Sequence, residues 1–124
     1  MKVVFMTYAI LPITEDARQV FTVDLAPDGV PIHARIEIRY LSAADVWVLS
    51  IWDHSCGEML VNQIPLICSY GKINDLLLPF RHLREGRGMG SLCCLRNTDS
   101  PSTPDPAKEN LVEFQILWGD TFDG

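Results

Sequence analysis

The sequence predicts an all-β fold, a small antiparallel β-barrel or β-sandwich with at most one short helix. Three observations lead there. Ile32, Ala34, Ile36 and Ile38 alternate with His33, Arg35, Glu37 and Arg39, the period of two of a strand with one wet face. Runs rich in β-branched and aromatic residues recur along the chain, and turn-forming residues separate them.

Taken in order, Val3-Val4-Phe5 opens an apolar run, and Val20 to Leu25 reads as a strand. Ala26-Pro27-Asp28-Gly29 supplies a turn, because proline presets φ and glycine accepts a positive one. The alternating strand from Ile32 then returns. Val46 to Asp53 forms the next strand, with Trp47, Leu49 and Ile51 on one face and Trp52 on the other. Asp53 to Gly57 turns the chain, and Glu58 to Val61 comes back antiparallel. Ile64 to Cys68 continues that segment, with Pro65 confined to a bend or a free edge because it has no N–H for a ladder. Asn74 to Leu78 is the one helical candidate, capped by Asn74 or Asp75 and stopped by Pro79. Leu92 to Arg96 and Leu111 to Trp118 are the last strands, and between them the proline-rich stretch 97–108 reads as an exposed loop.

Length and composition bound the function. A chain of 124 residues, 48% of them hydrophobic, is read as a single domain over 1–124 that buries roughly two-thirds of its unfolded surface. The net charge of −6 gives no long-range attraction to nucleic acid or an anionic membrane. No signal peptide is evident, and no apolar run reaches membrane-spanning length. Four cysteines, at 56, 68, 93 and 94, lack C-x-x-C spacing and read as free thiols. The charge is unevenly placed. Residues 72–96 carry five basic groups against two acids, whereas 97–124 carry Lys108 against six acids. Arg81, Arg84 and Arg87 on one side, with Asp120 and Asp123 on the other, are therefore candidate interface residues.

No motif reads as catalytic. Gly86-Arg87-Gly88-Met89-Gly90 lacks the Lys-Ser/Thr of a phosphate loop and leads into a strand, so it reads as a turn. Asp53-His54-Ser55 holds the residue types of a hydrolase triad, but three adjacent residues cannot easily converge as a triad must. His54, Cys56, Cys93 and Cys94 make a poor zinc set, since neighbouring strand cysteines point to opposite faces and at most one faces the core. No catalytic, metal or cofactor-binding residue and no cofactor is assigned. The three tryptophans are read as packing residues.

The motifs from Trp47 onward form an ordered series. Trp47-Val48-Leu49-Ser50-Ile51-Trp52-Asp53 with Gly57, Leu60-Val61 and Ile64-Pro65-Leu66-Ile67 come first, then Asp75-Leu76-Leu77. Phe80 and Leu83 with a glycine-rich turn follow, then Pro101 to Pro106, Asn110-Leu111 and Phe114. This order resembles the baseplate plug proteins of contractile-tailed phages. Gln63, where that family tends to have glycine, and Ser69-Tyr70-Gly71, where it tends to have Thr-Gly, are departures. The resemblance implies a virion protein of the tail baseplate, assembled in the host cytoplasm. It implies a plug near the tail axis, contacting the hub and the end of the tail tube; the tape measure is a further candidate partner, and the uneven charge suggests copies docked head to tail in a homo-oligomeric ring. Two rivals stand beside it: a small-ligand-binding β-barrel, and a cytoplasmic enzyme whose site converges only in three dimensions.

Overall fold

The computed structural model describes residues 8–84, 86 and 88–122. Seven strands follow one another: β1 (Tyr8–Ile10), β2 (Arg18–Leu25), β3 (Ile32–Leu41), β4 (Val46–Asp53), β5 (Glu58–Pro65), β6 (Ser91–Arg96) and β7 (Phe114–Gly119). They form two antiparallel sheets, ordered β2-β3-β4-β5 and β1-β7-β6. The sheets do not close into a barrel. Of the two architectures expected, the fold takes the sandwich.

The core lies between the sheets because each contributes the apolar half of its alternation. Ile36, Ile38, Leu49 and Ile51 from the first sheet and Leu92, Ile116 and Trp118 from the second are all fully buried in one cluster. The register sets Ile36 against Ile51 and Ile38 against Leu49, so Trp47, Leu49 and Ile51 face inward as the period of two requires. Trp52 lies on the other face, where the Arg35 guanidinium sits 4.9 Å from its ring centroid. Both buried indoles satisfy their N–H groups. Trp47 Nε1 donates to the Ala107 carbonyl and Trp118 Nε1 to that of Met89, each at 2.6 Å.

Two expectations change, and a third gains a detail. The helix at 74–78 does not form. A 3₁₀ turn spans Leu78–Phe80 with Pro79 inside it, and Asp75 Oδ1 accepts the Leu77 N–H at 3.0 Å in a local turn. The last strand begins at Phe114, after a 3₁₀ turn at Leu111–Glu113. Cys94 shares the core face of β6 with Leu92, and Cys93 points the other way, yet both are buried. The chain at 75–76 lies along the β6 edge, where the Leu76 N–H donates to the Leu92 carbonyl at 2.8 Å. The run at Val3 to Phe5 lies outside the described residues.

The proline-rich stretch keeps its largely exposed surface, but it is tied down. Asn110 accepts the Ala107 N–H at 2.7 Å and donates to Thr103 Oγ1 at 2.8 Å and Glu113 Oε2 at 2.7 Å. Asp105 Oδ1 accepts the Cys68 N–H at 2.8 Å, and Pro106 is buried.

Candidate functional site

One end of the sandwich gathers most of the charged groups singled out in the sequence. The β2–β3 turn, the loop before β6 and the exit of β7 meet there, although they lie far apart in the chain. Asp28 is the link. It sits in the left-handed region at φ 54°, followed by Gly29 at φ 81°. Its N–H donates to Asp120 Oδ1 at 2.8 Å, and its own Oδ1 accepts the Thr121 N–H at 2.8 Å. The Thr121 hydroxyl donates to Asp28 Oδ2.

A second bonded chain joins the loop to the same exit. Asp75, with a side chain 9% exposed, accepts from Leu77 and Leu92 N–H through Oδ1. Its Oδ2 accepts from Ser91 Oγ at 2.8 Å and from Arg81 Nη2 at 3.5 Å. Ser91 Oγ in turn accepts the Phe122 N–H at 2.7 Å. Arg84 reaches the other side, its Nη2 donating to the Pro31 carbonyl at 2.7 Å. Its Nη1 is buried with no acceptor among the described residues.

Gly90 explains why the glycine-rich run is shaped for packing. It holds φ 79°, and a Cβ there would lie 1.9 Å from the Gly119 carbonyl oxygen and 2.7 Å from Pro27 Cβ. No other residue fits at this crossing. The run is thus a close approach of backbone to backbone, and the neighbouring Met89 carbonyl holds Trp118.

The electrostatics of this end are mixed. The Tyr8 phenol is pushed up, first by burial and then by the negative charges around it, among them Asp75, Asp120 and Asp28. Of the five candidate interface residues, Arg81, Arg84 and Asp120 all lie in this bonded region. Arg87 and Asp123 lie outside the described residues. Sequence reasoning missed Asp28, Asp75 and Ser91. The Asp-Leu-Leu motif marked Asp75, but read it as a helix cap.

The other motifs resolve into structure. Asp53 Oδ1 accepts the Ser55 N–H at 3.0 Å, capping the β4–β5 turn, and the His54 ring packs on that of His33 with centroids 5.0 Å apart. Among the described residues no three His, Cys, Asp or Glu side chains gather as a metal set. Clefts open at both ends of the sandwich. One, of about 450 Å³, lies between the β2–β3 turn and β1/β7; another, of about 540 Å³, is lined by the proline-rich loop and the 110–113 turn.

These features define a small all-β sandwich protein in which buried and half-buried polar side chains hold loops to the sheets. The particular kind follows from comparison with known families. Residues 8–121 match the family model of the cyanophage baseplate Pam3 plug gp18. The chain therefore belongs to the cyanophage baseplate plug family, a family of structural proteins of the phage tail baseplate in the virion. A search of curated proteins finds no match to this sequence.

Proposed function

We propose that the protein is a non-enzymatic plug near the tail axis, and that the Asp28–Asp75–Arg84–Asp120 end docks it on the hub and the end of the tail tube. The observation that carries this reading is the span of the family match, from Tyr8 at the start of β1 to Thr121 at the bonded exit of β7. It takes in every element that builds this end. Arg81 and Arg84 lie there beside the carboxylates of Asp75, Asp28 and Asp120. A ring closed head to tail through Arg81 and Arg84 on one copy and Asp120 on the next would need these groups on separate faces, so the composite patch better suits a different tail protein. Its hydrogen bonds hold it in shape before contact, which lowers the ordering cost of docking.

The test is incorporation. A tagged copy expressed in cells producing tails is expected to copurify with hub and tube proteins. The double reversal R84E/R87E, shown to be folded by circular dichroism and melting, is expected to be missing from those particles. Single R87E serves as a second variant should Arg84 prove necessary for folding. A parent protein absent from purified tails, or folded reversed variants incorporated at parent levels, would overturn the reading.

A further inference from the structure

The two sheets have four edges, and they are unequally protected. Edge strands with free backbone groups invite pairing with another chain, and proteins shield them with bulges, proline, short length or a covering loop. The β5 edge carries Pro65, a left-handed Gln63 at φ 50° and register shifts against β4. The described part of β1 runs from Tyr8 to Ile10. β6 is covered, since the Ser69 N–H bonds the Cys94 carbonyl and the Leu76 N–H that of Leu92. β2 is different: eight residues in unbroken register with β3, without proline or bulge.

Its backbone groups without a bond among the described residues can be identified. The Tyr40 N–H donates to the Ala17 carbonyl at 2.8 Å, one step beyond the Arg18–Arg39 pair. Hydrogen-bonded pairs recur every second residue in an antiparallel ladder. Gln19, Phe21, Val23 and Leu25 therefore bond to β3, while Arg18, Val20, Thr22 and Asp24 turn their N–H and C=O groups outward. His33 agrees, as its carbonyl accepts the His54 N–H from the β4 side.

Those four residues are self-complementary. When β2 is laid antiparallel on a second β2, one register uses all four outward residues of each copy. It sets Val20 against Thr22 and Arg18 against Asp24, twice over. Shifting it by two either puts Asp24 against Asp16 or leaves Arg18 against Ala26. Arg18 and Asp24 side chains are 64% and 79% exposed, and each already has a neighbour on β3: Glu37 at 3.0 Å from Arg18, and His33 beside Asp24. Across the pairing, Glu37, Arg18, Asp24 and His33 would alternate acid and base.

We propose that a second copy of this chain is the partner of the β2 edge, giving a two-fold dimer with one continuous eight-stranded sheet and Arg18 opposite Asp24. This dimer is independent of the plug reading and is testable on the isolated protein. Sedimentation equilibrium is expected to give a concentration-dependent species of twice 13.9 kDa. T22P removes an outward N–H and blocks pairing while sparing the β3 ladder, a position where proline is tolerated; it is expected to be a monomer with parent-like circular dichroism. R18D and D24R each place like charges together and are expected to weaken self-association by at least about tenfold. Mixed with each other, they restore opposite charges at both contacts and are expected to form a heterodimer. The two charge variants keep the question decidable if T22P misfolds. A parent that stays monomeric at its highest soluble concentration overturns the proposal, as does a dimer indifferent to these charges.

Discussion

Replacing Asp75 by alanine removes one carboxylate that four donors share. Two are backbone N–H groups, of Leu77 at 3.0 Å and Leu92 at 3.2 Å, and one is the Ser91 hydroxyl at 2.8 Å. The fourth is Arg81, half exposed and 3.5 Å away. Leaving a buried donor without an acceptor costs about 1–3 kcal/mol, and an exposed ion pair is worth about 0–1 kcal/mol. Three donors at the lower end give a loss on the order of 3 kcal/mol for Asp75→Ala, with the Arg81 contact adding little. Asp75→Asn keeps one oxygen for the two N–H groups and can donate to Ser91 Oγ, so it should cost about 1 kcal/mol. Urea unfolding followed by tryptophan fluorescence measures both, and hydrogen exchange at Leu77 and Leu92 locates the effect. If alanine and asparagine cost the same, or if alanine costs under about 0.5 kcal/mol, the carboxylate does not hold this end together.

Three other perturbations test the rest of the fold. Leu49→Ala empties a fully buried site between the sheets and should cost about 2–5 kcal/mol in the same assay. In the native protein Cys56 should react fast with a thiol reagent while the other three are protected, since Cys56 is exposed and burial pushes the Cys68, Cys93 and Cys94 thiols up; denaturant should release all four, as mass spectrometry of the adducts would show. Glu113 is held below its ordinary 4.5 by the Asn110 amide first and then by Ser102, so its stabilisation is present above pH 4.5 and lost as pH falls through the depressed value. The gap in melting temperature between parent and Glu113→Gln should therefore close on acidification below pH 4.5.

The strands were legible because their cause is local. Alternation from Ile32 to Ile38 and the inward Trp47, Leu49 and Ile51 need only the pleat and one shared core. Asp75 was misread because its partners, Ser91 and Leu92, lie sixteen and seventeen residues away. A cap and a cross-chain acceptor look alike in sequence. Asp28 and Asp120 are separated by 92 positions, and no local pattern announces that they meet. Charge counting found the two segments at 72–96 and 97–124, but not that Asp120 alone of the described acids in the second reaches the end that holds Arg81 and Arg84, or that Arg84 is turned onto the Pro31 carbonyl. Gly90 read correctly as turn chemistry, but its reason, the Gly119 carbonyl against it, is tertiary.

Both ends of the sandwich are fastened by the same device. An inward tryptophan anchors each: Trp118 grips the Met89 carbonyl at the Asp28–Asp75 end, and Trp47 grips the Ala107 carbonyl at the proline-rich end. A carboxylate then finishes each fastening, Asp75 for the loop before β6 and Glu113 for the loop before β7 through Asn110 and Ser102. Long connections of this kind would otherwise be the mobile parts of a small β protein. Pinned to the core, they present fixed surfaces, and partners can meet them as rigid bodies with little rearrangement. For a baseplate component this matters more than a pocket does, because its contacts must form in a set geometry. It follows that Asp75→Ala should impair incorporation into tails before it unfolds the chain. Particle yield should fall at temperatures where circular dichroism still reports the native sheet. If yield and sheet signal are instead lost together across the temperature series, the pinned loops serve folding alone and the docking surface lies elsewhere.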